Sequence, residues 1–147
     1  LKALIHITET YAIQPQIRSV LNIGSASGHT GAEFPEYCAS KGGINSLSKA
    51  MAIDLGKYGI RSNVVLPGTI KTERWKKMGS KQIVNGELTP IGDMSDFEDV
   101  ANACWFFGTD LSKNITGTEM VVDGGMTCQL YPTILNELKR KQLNGEL

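Results

Sequence analysis

A chain of 147 residues with 41% hydrophobic content is long enough for one sizeable core and makes no case for two. Its fifteen basic and fifteen acidic residues cancel to zero net charge, which excludes the long-range field that gathers nucleic acid or anionic lipid and points to a small-molecule or neutral protein partner. Cys38, Cys104 and Cys128 are odd in number and lack a CxxC pair, and His6 and His29 are the only imidazoles, so a reduced interior is expected and a metal site is not. No apolar run reaches the roughly 18–20 residues of a membrane span and no signal sequence opens the chain, so the expectation is a cytoplasmic protein without a membrane partner.

LKALIHITETYAIQ opens without methionine or an N-cap, and Leu1, Leu4, Ile5, Thr8 and Ala12 recur at helical spacing. The sequence is therefore expected to begin inside a helix. After Pro15, SVLNIGS reads as a short buried strand that stops at Gly24. From Tyr37 to Leu55 the apolar residues Ile44, Leu47, Met51 and Leu55 step by three and four, which predicts a helix with Gly59 placed for a left-handed C-terminal cap. IRSNVVLPG is a second β-branched run, closed where Pro67 and Gly68 force the backbone out of a sheet. Strand, helix, strand in that order predicts an α/β fold with parallel pairing through a right-handed crossover.

Between Thr69 and Pro90 the apolar pattern fades and Lys71, Arg74, Lys76, Lys77 and Lys81 accumulate. A lid over a site and a solvated surface excursion both fit, and composition alone favours the excursion. SDFEDVANACWFFGTD predicts a helix with Ser95 as N-cap, Glu98 completing a capping box, and Val100, Ala103, Cys104 and Phe107 on the inner face. TEMVVDGG supplies a last strand and a tight glycine turn. After Pro132 a short helix is expected, with Leu135, Leu138 and Leu143 facing an apolar surface.

In an open parallel sheet, ligands bind beyond the carboxyl ends of the strands. Ser25 follows the first strand, the Pro67-Gly68 turn follows the second, and the segment after Ser25 runs into Tyr37, so these features fall where one crevice would be. Tyr37 and Lys41 are four apart, hence on one face of a helix. A neighbouring ammonium favours the phenolate, lowering a free-side-chain pKa of about 10, and makes tyrosine usable as a general acid or base. Ser25 brings a hydroxyl that can hold a carbonyl oxygen. The set suits carbonyl/alcohol chemistry. Each part also has a plainer role: Tyr-x-x-x-Lys alone is a weak motif, Ser25 a turn residue, Gly42-Gly43 a site of close helix packing, and Asp123-Gly124-Gly125 a turn.

The joint order of these motifs resembles the short-chain dehydrogenase/reductase family. NIGSASG resembles the segment carrying the family's serine, YCASK its Tyr-x-x-x-Lys, SNVVLPGTIKT its Asn-x-x-x-Pro-Gly stretch with a threonine beyond, and PIGDMSDFEDVANACWFFGTDLSKNITGTEMVVDGG its C-terminal pattern. The match runs from Leu1 to about Met126. It implies the C-terminal portion of a Rossmann-like doubly wound parallel sheet, a single partial domain over 1–147 with 127–147 as a tail extension. It also implies an NAD(P)-dependent oxidoreductase, a carbonyl reductase or alcohol dehydrogenase, using NAD or NADP and forming a homodimer or homotetramer when complete.

Residue by residue, the resemblance assigns Ser25 to orienting the substrate carbonyl and Tyr37 to donating or removing the proton. Lys41 would lower the tyrosine pKa and hydrogen-bond the nicotinamide ribose. Pro67 and Gly68 would shape the nicotinamide end of the pocket, the Ile70 backbone would hold the carboxamide, and Thr72 would touch the carboxamide or a phosphate. The segment from Thr69 to Pro90 would carry substrate specificity, which is its lid reading. The family's glycine-rich phosphate loop, its Asn-Asn-Ala-Gly segment and the strand that chooses between NAD and NADP precede the region matched, and its helix asparagine would sit one place before Leu1. The chain alone is therefore expected to be inactive. A non-catalytic remnant, or a fragment active only when completed by an N-terminal half that covers the open strand edge, stands as the alternative.

Overall fold

The computed structural model describes residues 16–32, 34–73, 77, 89–129, 137 and 141–146. The helix expected at Leu1 to Ala12, most of the Thr69 to Pro90 segment, and Leu135 and Leu138 lie outside them. In chain order the elements are β1 (Ser19–Ile23), α1 (Ser27–Thr30), α2 (Pro35–Gly56), β2 (Arg61–Pro67), α3 (Phe97–Gly108) and β3 (Glu119–Val122). Short 3-10 turns follow at Asp110–Ser112 and Met126–Cys128. The sheet is parallel throughout in the order β1-β2-β3, with Ser19 opposite Arg61 and Val64 opposite Glu119. The α/β architecture is the one the strand and helix order required.

Alternation along β1 separates two cores. Val20 packs with Met51, Leu55 and Ile60 on the α2 face, while the next residue, Leu21, packs with Val65, Ala103 and Phe107 on the α3 face. β2 lies between both layers and all seven of its residues are buried, the polar Arg61, Ser62 and Asn63 included, so its apolar residues Val64, Val65 and Leu66 follow one another without alternation. Val100 and Cys104 complete the inner face of α3, and burial raises the Cys104 thiol above its ordinary pKa.

The helix α2 begins two residues ahead of Tyr37 because Pro35 occupies its first turn, where a fixed φ and a missing N–H cost nothing. It ends at Gly56, and Gly59, at φ 70°, turns the chain toward β2. The cap of α3 differs from expectation. Asp96, not Ser95, is the N-cap: its carboxylate accepts from Glu98 N at 2.9 Å and Asp99 N at 3.1 Å, and Asp99 accepts in return from Asp96 N at 2.9 Å. Ser95 is engaged elsewhere, bridged to Ile70 and donating its hydroxyl to Val122 O at 3.3 Å. At the other end of α3, the buried Arg61 donates to Phe107 O and Ser112 Oγ, each at 2.8 Å, and to Thr109 O at 3.2 Å. A cation there satisfies carbonyls that the helix leaves unpaired and meets the negative end of its dipole. Leu143, expected against an apolar surface, is 87% exposed. No helix among the described residues is long and apolar enough to cross a membrane.

Candidate active site

Three chain segments meet at the carboxyl end of β1 and β2. Gly24 N donates to Val65 O at 2.9 Å and Ala26 N to Pro67 O at 2.9 Å, so the turn carrying Ser25 continues the β1–β2 ladder and lies beside Pro67. Ser25 is buried, and its Oγ accepts from Ser27 N at 3.2 Å. The hydroxyl proton remains available for donation. Tyr37 and Lys41 sit one turn apart on α2, with the Lys41 ammonium 5.8 Å from the centre of the Tyr37 ring. Lys41 Nζ also donates to Ile23 O at 3.2 Å, which ties the helix to the last residue of β1. Tyr37 is 44% exposed. It borders an open groove of about 740 Å³ lined by Ser27, Ala32, Phe34, Glu36, Tyr37 and Ser40.

The Pro67-Gly68 turn is pressed against the Asp123 turn. Gly68 N donates to Val122 O at 2.9 Å, and a Cβ on Gly68 would stand 2.6 Å from Asp123 Cβ, so this approach needs glycine. Buried Asp123 accepts from Gly125 N and Thr127 N, each at 2.8 Å, and from Thr127 Oγ1 at 2.6 Å. Beyond the turn, Lys71 N donates to Ser95 O at 3.0 Å and Thr72 N to Ile70 O at 2.8 Å. An ion pair joins Lys71 to Asp93. The hydrogen bond from Lys71, followed by that from Met94 N, holds the Asp93 carboxyl below its ordinary pKa. These links stitch the segment carrying Ile70 and Thr72 to the one leading into α3. Asn63, the asparagine of the Asn-x-x-x-Pro-Gly stretch, is fully buried and works away from the crevice: its amide donates to Ile115 O at 2.9 Å and accepts from Thr118 N at 3.1 Å.

The structure thus gathers Ser25, Lys41 and Pro67 at neighbouring strand ends, sets Tyr37 one helical turn from Lys41, and continues from Gly68 to Ile70 and Thr72. A nicotinamide dinucleotide fits this donor set at one end. Among the described residues the Ile70 N–H has no acceptor, and the Lys41 ammonium has donors left beyond its single bond to Ile23 O. Sequence reasoning missed the Lys71–Asp93 pair and the Asp123 contacts. The first leaves no local signal, since its partners lie 22 residues apart; the Asp123 bonds to Gly125 and Thr127 are local, within four residues, and only the approach of Gly68 to Asp123 joins distant segments.

A parallel sheet covered by helices on both faces, with a hydroxyl, a phenol and an ammonium at its carboxyl end, is part of a Rossmann-like α/β protein. The family model described as enoyl-(acyl carrier protein) reductase matches residues 2–127. An uncharacterized oxidoreductase of Schizosaccharomyces pombe is 37% identical over 130 residues, 82% of this chain and 50% of the relative. L-rhamnose 1-dehydrogenase (NAD(P)(+)) of a Sphingomonas species is 39% identical over 116 residues, 76% of this chain and 46% of the relative. The solved structure of a short-chain dehydrogenase/reductase family oxidoreductase from Burkholderia thailandensis superposes with a TM-score of 0.72 at 34% identity, covering 83% of this chain and 49% of that one. The chain belongs to the short-chain dehydrogenase/reductase family. It spans about half the length of the curated relatives it matches.

Proposed function

We propose that the chain is the C-terminal half of an NAD(P)-dependent oxidoreductase that interconverts a carbonyl and a secondary alcohol, with Tyr37 as the group that exchanges the proton. The observation that carries this reading is the placement of Lys41, one turn from Tyr37 on the same helical face, 5.8 Å from its ring centre, and bonded to the end of β1 at Ile23 O. When bound, the nicotinamide supplies or accepts the hydride. The chain's own residues handle the oxygen. In the reducing direction negative charge grows on the substrate oxygen, and the Ser25 hydroxyl, its lone pair already held by Ser27 N, donates to it. Tyr37 then delivers its proton to that oxygen, and Lys41 offsets the charge left on the phenol. In the oxidising direction Tyr37 takes the proton back.

The residues present would hold only the nicotinamide end of the cofactor. Lys41 would reach a ribose hydroxyl, the Ile70 N–H the carboxamide, and Thr72 the carboxamide or a phosphate, beside the Pro67-Gly68 turn. On this reading the chain alone is inactive and the full-length protein active. Phe97 and Trp105, 64% and 63% exposed on α3, leave apolar surface that supports self-association as a homodimer or homotetramer. Because one relative is an L-rhamnose dehydrogenase, a sugar hydroxyl is the first substrate to test.

The experiment offers NAD+ and NADP+ to the full-length protein with L-rhamnose, a polyol, a 3-hydroxyacyl thioester and a steroid alcohol, and follows reduced nicotinamide by its absorbance. Reduction with at least one alcohol is expected. A folded protein that binds cofactor and reduces it with none of them would support the non-catalytic remnant instead.

A further inference from the structure

Ser25 lies in the turn after β1 and Lys41 on α2, and the closest approach between their segments is mainly one of backbone against backbone. It is made where α1 crosses α2, by Gly28 and Gly42. A Cβ on Gly28 would stand 2.6 Å from Gly42 N, 2.6 Å from the Lys41 carbonyl carbon and 2.8 Å from Lys41 Cβ. A Cβ on Gly42 would stand 3.1 Å from the Gly28 carbonyl oxygen. Unstrained carbon contacts lie at about 3.5–4.0 Å, so the two backbones touch at a spacing that a methyl on Gly28 forbids. Gly28 is not among the glycines with positive φ. Its requirement is room, not backbone freedom.

Gly28 is also tied directly to the serine turn, donating its N–H to Ser25 O at 3.0 Å, one residue beyond the Ser27 N–H that holds Ser25 Oγ at 3.2 Å. On its other side it rests on the backbone of Lys41 itself. We infer that Gly28 is a positioning residue that fixes the gap between the Ser25 turn and the Tyr37–Lys41 helix. This rests on the reaction proposed above. To relieve a 2.6 Å contact, α1 must move by roughly 1 Å, and because the obstacle is backbone rather than a flexible side chain, the move falls on the Ser25 turn or on Lys41. Misplacement of reacting groups on that scale costs on the order of 100-fold in rate.

The test is a graded series in the full-length protein, using the alcohol and nicotinamide cofactor that the wild type turns over fastest. Gly28→Ala should lower kcat by about 10- to 100-fold while the cofactor KM stays within about threefold. Gly42→Ala, with its milder 3.1 Å approach, should lower kcat by less. Gly56→Ala, in the same helix with no atom within 4 Å of the added carbon, should leave kcat unchanged. Circular dichroism and thermal melting identify folded variants. A folded Gly28→Ala enzyme with wild-type kcat, or one whose only change is a lower melting temperature, overturns the inference. If Gly28→Ala does not fold, Gly42→Ala decides, and wild-type kcat there overturns it. Tyr37→Phe run alongside separates the two claims. Turnover persisting in that variant refutes the reaction assignment, whereas turnover lost there but kept in Gly28→Ala refutes the positioning role alone.

Discussion

β1 and β2 are neighbours in one sheet with different surroundings. β2 has a strand on each edge and a helix layer on each face, and Val65 and Leu66 are both 0% exposed. β1 pairs only with β2 among the described residues, only Asn22 along it is buried, and Ile23 is 45% exposed. Packing is therefore complete around β2 and partial around β1, from whose end the Ser25 turn and the Lys41 contact hang. In a chain spanning half the length of its relatives, the tightest packing surrounds β2, while the Ser25 turn and the Lys41 contact to Ile23 O lie at the end of the half-covered β1. The difference teaches that stability and chemistry in this chain are separable by substitution.

The largest effect should fall on the fully covered side. Phe107→Ala removes a side chain that is 0% exposed beneath α3 and should cost about 3–5 kcal/mol in urea unfolding of the full-length protein. Ile23→Ala, on the half-covered strand, should cost under about 1 kcal/mol if nothing else covers it. An Ile23 loss as large as that of Phe107 would show that β1 is packed as tightly as β2, and would redraw the comparison. Arg61→Ala leaves the Phe107 and Thr109 carbonyls without their charged donor and should cost about 2–3 kcal/mol.

The smallest effect depends on pH. The Lys49 ammonium, 2.6 Å from the Glu119 carboxylate, and then His29 at 3.2 Å hold that carboxyl below its ordinary pKa of 4.5, against the opposing effect of partial burial. A carboxylate whose pKa is lower in the folded state contributes stability that is present above the unfolded value and lost as pH falls through the folded one. Glu119→Gln should therefore destabilise by about 0.5–1 kcal/mol near neutral pH. The difference from wild type should shrink once the pH drops below 4.5. A constant difference down to the acid limit would show that the ion pairs are not its source.

Much of this was legible in the residues. SVLNIG and RSNVVLP are β-branched runs ended by glycine or proline, and Ala103 and Phe107 keep helical spacing, so strands, helix and inner face could be read directly. Tyr37 and Lys41 share a face by arithmetic alone. The cap of α3 was misread by one position because Ser95 and Asp96 are both good N-caps, and only the bridge between Ile70 and Ser95 removes the serine from contention. The four-residue helix α1 is too short to show a period. The Gly28–Gly42 approach and the Lys71–Asp93 pair are tertiary, joining segments whose proximity nothing local encodes.

The most direct test of the central claim is kcat/KM for Tyr37→Phe in the full-length protein, with cofactor affinity measured on the same preparation. The substitution removes one hydroxyl from a side chain that is 44% exposed, so the fold should not register it. The account predicts a loss on the order of 100- to 10,000-fold with cofactor affinity retained. Turnover within about tenfold of wild type would contradict it.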